Sequence, residues 1–270
     1  MIMERLTRIR RMESIYDEIS QAFQINKEQL FTSENLQESL KTLKDYYENG
    51  QWLLDYEADE SGELPKDLKR GVLSQDGLYS LLEEIGQIKR CKWCNLKNPL
   101  YIKYHDEEWG RLNLDDQYLY EMLILESFQA GLSWECVLNK RESFRKAYDN
   151  FQLEKVCAYG EDKFNELVNN KDIIRNKLKI KASINNSKIF KEIVEAYGSF
   201  HNYLKTFTND EIIYETNRTT NELSDAISKD LQRRGMKFVG SVIIYSYLQA
   251  IGMIDSHEED CFLYKEEEIK

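Results

Sequence analysis

The run Leu119-Tyr120-Glu121-Met122-Leu123-Ile124-Leu125-Glu126-Ser127-Phe128-Gln129-Ala130 decides how this chain is read. It contains no glycine or proline, and with its flanks it reads as a helix over about 115–128. A carboxylate such as Glu126, set among apolar neighbours in a helix, needs a reason to be there. As pattern alone the run leaves two reasons open: an ordinary packed acid, or one that does chemistry.

Outward from that run the chain stays helical. Further patterns fall at about 135–148, 161–170, 178–196 and 224–234, followed by an apolar stretch at 238–252. The whole chain of 270 residues has only two prolines, Pro65 and Pro99. That scarcity, with long stretches lacking glycine, favours an all-α fold over a sandwich of short strands, which needs frequent turn residues. Phe238 to Ile254 is the one candidate for a membrane span, but it carries Ser241, Ser246 and Gln249. It also falls short of the ~20 residues a span requires, so a buried core helix is expected and no membrane contact. The charged start, Met1 to Arg11, has no signal-peptide core. Without a secretory signal, five cysteines suggest reduced thiols or metal ligands in a cytoplasmic protein.

The first ninety residues read as a separate helical segment, 1–88, ahead of a larger domain, 89–270. Leu6, Ile9, Met12, Ile15, Tyr16, Ile19 and Phe23 mark one amphipathic helix, and Leu36, Leu40, Leu43 and Tyr47 a second, with Gly50 as its stop. The acidic stretch Asp55 to Glu63, ending at Pro65, is expected to be a loop. Ser74 offers the N-cap of a third helix running through Ile85. No catalytic constellation shows in this segment, and Trp52 fits a core position. It resembles a bacterial helical domain of unknown function, which leaves its partner open.

A net charge of −11 looks unsuited to binding DNA, since phosphate contacts are made by Lys and Arg. The total conceals local concentration. Between residues 171 and 190 lie Lys171, Arg175, Lys177, Lys179, Lys181 and Lys188 against one acid, Asp172, and Arg233, Arg234 and Lys237 form a second cluster. Charge alone fits either solvated helix faces or a local basic surface.

Only three histidines occur in the chain. His105 follows Cys91 by fourteen positions, and His257 precedes Cys261 as His-x3-Cys. Two Cys and two His suit tetrahedral Zn²⁺, and four protein ligands leave no open position, so such a zinc would be structural. Cys94 could compete, because Cys91-x2-Cys94 is itself a zinc spacing. With one ligand pair opening the larger domain and the other closing it, the metal would act as a clasp. Aromatic side chains gather near the first pair: Trp93, Tyr101, Tyr104 and Trp109, joined later by Trp134. A lone ring is usually core. A dense group of rings beside an acid such as Glu126 could instead sandwich an extruded nucleobase.

Several motifs then occur in order. They are Asn98-Pro99-Leu100-Tyr101-Ile102, Tyr104-His105-Asp106-Glu107-Glu108-Trp109-Gly110, Leu125-Glu126 and Gln129-Ala130-Gly131-Leu132-Ser133-Trp134. Ser224-Asp225-Ala226 and Arg234-Gly235-Met236-Lys237-Phe238-Val239-Gly240 complete the set. Together, from about Cys91 to Tyr264, they resemble the 3-methyladenine DNA glycosylase I family, whose fold is similar to the helix-hairpin-helix glycosylases. The resemblance implies a monofunctional DNA repair glycosylase that hydrolyses the N-glycosidic bond of 3-methyladenine in alkylated double-stranded DNA. It implies structural zinc on Cys91, His105, His257 and Cys261, and a base pocket with Glu126 as catalytic residue. Tyr104 and Trp134 would contact the base, with Tyr101, Trp93 and Trp109 nearby, while Arg175, Lys179, Lys181 and Lys237 would meet DNA. A monomer is expected. The resemblance also predicts a glycine in the phosphate-gripping hairpin, yet none occurs between Gly160 and Gly198, and Asp172 stands where it would fall. The competing reading is a non-catalytic zinc-stabilised module that binds nucleic acid or protein.

Overall fold

Helix-forming sequence broken by capping residues produces an almost wholly helical chain. The computed structural model describes residues 2–208 and 211–265, in two compact units. One runs to Cys91 and takes in Asp260–Leu263; the other is built on Lys92–Glu259. No helix among the described residues is long and apolar enough to cross a membrane.

The first unit holds helices α1 (Ile2–Ile25), α2 (Lys27–Thr32), α3 (Glu34–Glu48), α4 (Gln51–Glu60) and α5 (Gln75–Gly86). The side chains of Asn26, Ser33 and Ser74 cap α2, α3 and α5 by accepting backbone N–H bonds that the helix itself leaves unmet. Helix α4 corrects the expected acidic loop. Trp52, Asp55 and Ala58 recur every third position and turn one face of that stretch inward. Asp55 is 0% exposed, and its carboxylate accepts from Arg8 Nε at 2.9 Å, Arg8 Nη2 at 2.6 Å and the Tyr46 hydroxyl at 2.9 Å. An acid that composition reads as solvated is therefore an internal, paired one. Trp52 is core, its Nε1 donating to the Val72 carbonyl at 2.8 Å. Phe262 joins this unit through its ring, 4.9 Å from that of Phe31, and its N–H bond to Lys89.

The second unit begins with α6 (Pro99–Glu107) and α7 (Asp116–Gln129), followed by α8 (Trp134–Leu138) and α9 (Arg141–Ala147). The expected single helix over 135–148 is thus two, divided at Asn139 and Lys140, where Asn98 Nδ2 donates to Asn139 Oδ1. After a 3-10 turn come α10 (Leu153–Cys157), α11 (Glu161–Asn169), α12 (Lys177–Tyr197) and α13 (Phe200–Lys205). Helices α14 (Glu222–Arg233) and α15 (Ser241–Ala250) finish the layer. Strands β1 (Ile213–Tyr214) and β2 (Ile254–Asp255) pair in parallel.

Helix α7 is the axle of this unit. Every residue from Leu119 to Phe128 is buried, and α12, α13 and α15 pack around it. The apolar stretch 238–252 gives only the short helix α15, which is a core element and not a span. The chain stops it at Gly252, whose φ of +75° and contacts exclude any other residue. A Cβ there would lie 2.1 Å from the Arg111 carbonyl carbon. This crossing of two backbones brings the 105–113 segment against the 249–257 segment, with Gly110 donating to the Gln249 carbonyl and Asn113 to that of Ile251.

Candidate active site and metal centre

Helix α7 carries two inward acids, and their surroundings separate them. Glu121 is gripped by Arg141 Nε at 2.5 Å and by Arg145 Nη2 at 2.8 Å, so it is a paired structural acid. Glu126 is 2% exposed, and its Oε2 has no hydrogen-bond partner among the described residues. Burial alone pushes its carboxyl well above the usual carboxylate range. A buried polar atom left without a partner is costly, and in a native protein calls for a ligand or a functional explanation.

The space that Glu126 faces is a cavity of about 290 Å³. Its walls include Trp93, Tyr101, Tyr104, Trp109 and Trp134, so every ring singled out from the sequence meets the acid there. Tyr104 and Trp134 stand with ring centroids 5.2 Å apart and planes tilted by 45°. Trp93 lies 5.3 Å from Tyr101 and 4.7 Å from Trp109. Local sequence explains the placement. Asn98 caps α6, with Pro99 in its first turn, and the helix delivers Tyr101 and Tyr104 three positions apart onto one face. Ser133 caps α8 by accepting from Cys136 N–H, which starts that helix at Trp134. Burial raises the Tyr104 phenol well above its ordinary value, so the ring enters the pocket uncharged.

Three further buried atoms of the cavity lining lack partners among the described residues: Gln129 Oε1, Trp134 Nε1 and Ser256 Oγ. With Glu126 they give the cavity both acceptors and donors between aromatic walls, a set suited to a flat, heteroatom-edged ligand. The sequence reading missed Gln129, although it lies three residues after Glu126 and so on the same helix face. Thr216, Asn217, Arg218, Ser246 and Gln249 also line the cavity and left no sequence signal. A larger open groove of about 800 Å³ lies in the first unit, lined by residues such as Arg8, Arg11, Asp45 and Tyr46. None of the unpartnered buried atoms among the described residues borders that groove, so the chemistry belongs to the smaller cavity.

Beside the aromatic wall sits a cluster of metal-ligand type. Cys91, His105 and Cys261 are buried and offer ligand atoms all within 4.8 Å of one another. The fourth candidate, His257, has its ring centroid 5.3 Å from that of His105, and its Nε2 is buried without a partner. Both imidazoles are oriented through Nδ1: His105 by Asp106 at 2.7 Å and His257 by Asp255 at 2.6 Å. A carboxylate on one ring nitrogen leaves the other to bind metal, as is usual for ligating histidines. Gly110 makes room for His257, because a Cβ at that glycine would lie 2.7 Å from His257 Cε1. Cys94 is buried separately, its thiol reaching the Tyr101 carbonyl at 3.8 Å, and is not one of the three clustered groups.

Residues 93–264 match the family model for methyladenine glycosylase. The chain belongs to this family. The DNA-3-methyladenine glycosylase 1 of Escherichia coli is 39% identical over 183 residues, covering 66% of this chain and 97% of that protein. A crystal structure of a 3-methyladenine DNA glycosylase I is 37% identical with a TM-score of 0.63, covering 66% of this chain and all of its own. A tyrosine-to-phenylalanine variant of another such enzyme, solved in complex with 3-methyladenine, is 32% identical with a TM-score of 0.61. That match covers 64% of this chain and 95% of its own. Residues 9–90 match a different model, a domain of unknown function (DUF4298).

The glycosylase-family unit also contains the basic segment. Helices α11 and α12 are joined by a turn over 170–176, anchored by buried Ile173. The glycine expected there is unnecessary, because no residue of the turn has a positive φ, and Asp172 fits without strain. Arg175, Lys181 and Lys237 are exposed, as a phosphate contact requires. Lys179 is not, and the sequence reading of it as a DNA contact is corrected. It is 7% exposed, and its Nζ donates to the Phe128 carbonyl at 2.8 Å and the Ala130 carbonyl at 2.5 Å. Helical periodicity turns Lys179 inward while Lys177 and Lys181, two positions to either side, face solvent.

Proposed function

We propose that this chain is a DNA repair glycosylase that excises 3-methyladenine from alkylated double-stranded DNA, taking the flipped base into the cavity around Glu126. The observation that carries this reading is the orphaned carboxyl oxygen of Glu126 inside an aromatic-walled cavity of about 290 Å³. Family membership and the 3-methyladenine bound by a relative point the same way. A module that only binds a partner has no use for such an acid.

Methylation at N3 leaves adenine cationic while it is joined to the sugar. Breaking the glycosidic bond returns the electron pair to the base, which departs neutral. Water supplies the oxygen that bonds to the sugar carbon and releases a proton to solvent. The leaving group therefore needs no general acid, and the protein's work is extrusion, recognition and charge stabilisation. Tyr104 and Trp134 stack on the base, while Glu126 accepts from its amino edge and is drawn into its ionised form by the cation. Normal adenine brings no charge to offset the cost of ionising a buried carboxyl, so damage is selected electrostatically. Lys179, the one buried lysine among the described residues, is committed to two carbonyls, which supports simple hydrolysis without a Schiff base.

The cysteine and histidine set fits zinc. Cys91, His105, His257 and Cys261 would hold it, with Asp106 and Asp255 fixing the two imidazoles. Four protein ligands make it a structural ion that cross-links distant parts of the sequence. Arg175, Lys181 and Lys237 are assigned to DNA phosphates, in a helix–hairpin–helix formed by α11, the 170–176 turn and α12. Release of 3-methyladenine from methylated duplex DNA, measured chromatographically with wild type and Glu126→Ala side by side, tests the function. Release by wild type and its loss in the variant are expected; no release by wild type overturns the assignment.

A further inference from the structure

We infer that Lys179 is a positioning residue for the base pocket: its buried ammonium fixes the turn that joins Glu126 to Trp134. The inference rests on the glycosylase reading above and names how that pocket is held in shape.

The last carbonyls of an α-helix have no partner within the helix and carry its negative dipole end. In α7 those carbonyls belong to the segment from which Glu126 and Gln129 enter the cavity. Lys179 Nζ bridges Phe128 O and Ala130 O, on either side of Gln129. The chain then turns through Gly131, at φ +76°, closes a bond from Leu132 N–H to Gln129 O at 2.6 Å, and enters α8 at Trp134 under the Ser133 cap. One ammonium thus anchors a six-residue link with a pocket group at each end. The Phe238 ring, its centroid 5.9 Å from Nζ, closes another side. Burial lowers the Lys179 pKa, so the position costs stability that a surface lysine would not, and ordinary packing would be served by an apolar side chain.

The placement in α12 adds a consequence. Lys179 lies in the first turn of α12, which also carries exposed Lys181 and follows directly on the turn that carries exposed Arg175, both assigned to phosphate. The element that grips DNA therefore also holds the base pocket, and the two are set in one frame.

Affinity for free 3-methyladenine tests this, because that ligand has no phosphate. In Lys179→Met, which keeps the stem and removes the ammonium, base affinity is expected to fall about tenfold, matching the loss of one to two hydrogen bonds. Excision at saturating DNA should fall in parallel, while the dependence of log DNA affinity on log salt keeps its slope. Lys179→Ala should regain part of its base affinity in added ethylammonium. If Lys179→Met does not fold, Lys179→Gln, which can still donate to one carbonyl, should bind the base with intermediate affinity. Unchanged base affinity with a salt slope smaller by about one unit would make Lys179 a phosphate contact and overturn the inference. So would a lowered melting temperature with unchanged base affinity in the folded variant. Wild-type protein that neither binds the free base nor excises it would instead overturn the glycosylase reading, and the inference with it.

Discussion

Replacing Glu126 with glutamine keeps the shape of the side chain and removes its ability to carry charge. The carboxyl is 2% exposed, and Oε2 has no hydrogen-bond partner among the described residues. A cationic base at about 4 Å would interact with the carboxylate by roughly 4 kcal/mol at an effective dielectric near 20. Part of that is spent in ionising an acid whose pKa burial raises. The net loss expected for Glu126→Gln is therefore about 2–3 kcal/mol, on the order of 100-fold in single-turnover excision from methylated duplex DNA. The sign of the pH dependence follows from the raised pKa. The wild-type carboxyl is protonated at low pH and ionises as pH rises, so excision should climb with pH, and Glu126→Gln should lack that limb. Stability moves the other way. A carboxyl with a raised folded-state pKa stabilises most below its unfolded value and loses that contribution as pH rises through the folded value. Glu126→Gln should therefore melt at or above the wild-type temperature at alkaline pH. A variant that excises within about threefold of wild type, with the same pH profile, would refute the charge argument.

Other consequences can be measured directly. Cys261→Ser should lose zinc by elemental analysis and lower the melting temperature by an amount corresponding to several kcal/mol; unchanged metal content would exclude the ligand set. Asp106→Asn and Asp255→Asn should each weaken zinc retention against a chelator by about 10- to 100-fold while leaving the ligands intact. Gly252→Ala should destabilise the protein by on the order of 3 kcal/mol in urea unfolding, since it combines a left-handed backbone with a clash against Arg111 backbone atoms. Lys181→Ala and Lys237→Ala should each reduce the salt slope of DNA binding by about one unit without changing free-base affinity; an unchanged slope would place those lysines off the DNA path.

The particular residues show what could be read from sequence and what could not. Helices were legible from local signals, from the Ser74 cap at α5 and from the apolar period alone along 161–170. The acidic stretch from Asp55 to Glu60 was misread, since its partners Arg8 and Tyr46 lie 47 and 9 positions away. The aromatic wall was legible because Tyr101, Tyr104, Trp109 and Trp134 sit in recognisable motifs and Trp93 lies close before them. Gln129 was missed although it stands in a motif and three positions after Glu126, because only the packed structure leaves its oxygen without a partner.

The sequence by itself determined the helical class and picked out the rings that line the cavity. Those depend on residue type and short spacing, which chain geometry converts directly into shared helix faces. Only the tertiary structure decided which acid of α7 is structural and which faces the cavity, and which lysine of α12 is buried and which are exposed. Charge and hydropathy treat Glu121 and Glu126 alike, and Lys179 like Lys181. What separates them is whether a distant arginine or an orphan carbonyl arrives within hydrogen-bond reach, and that is settled only when the helices pack.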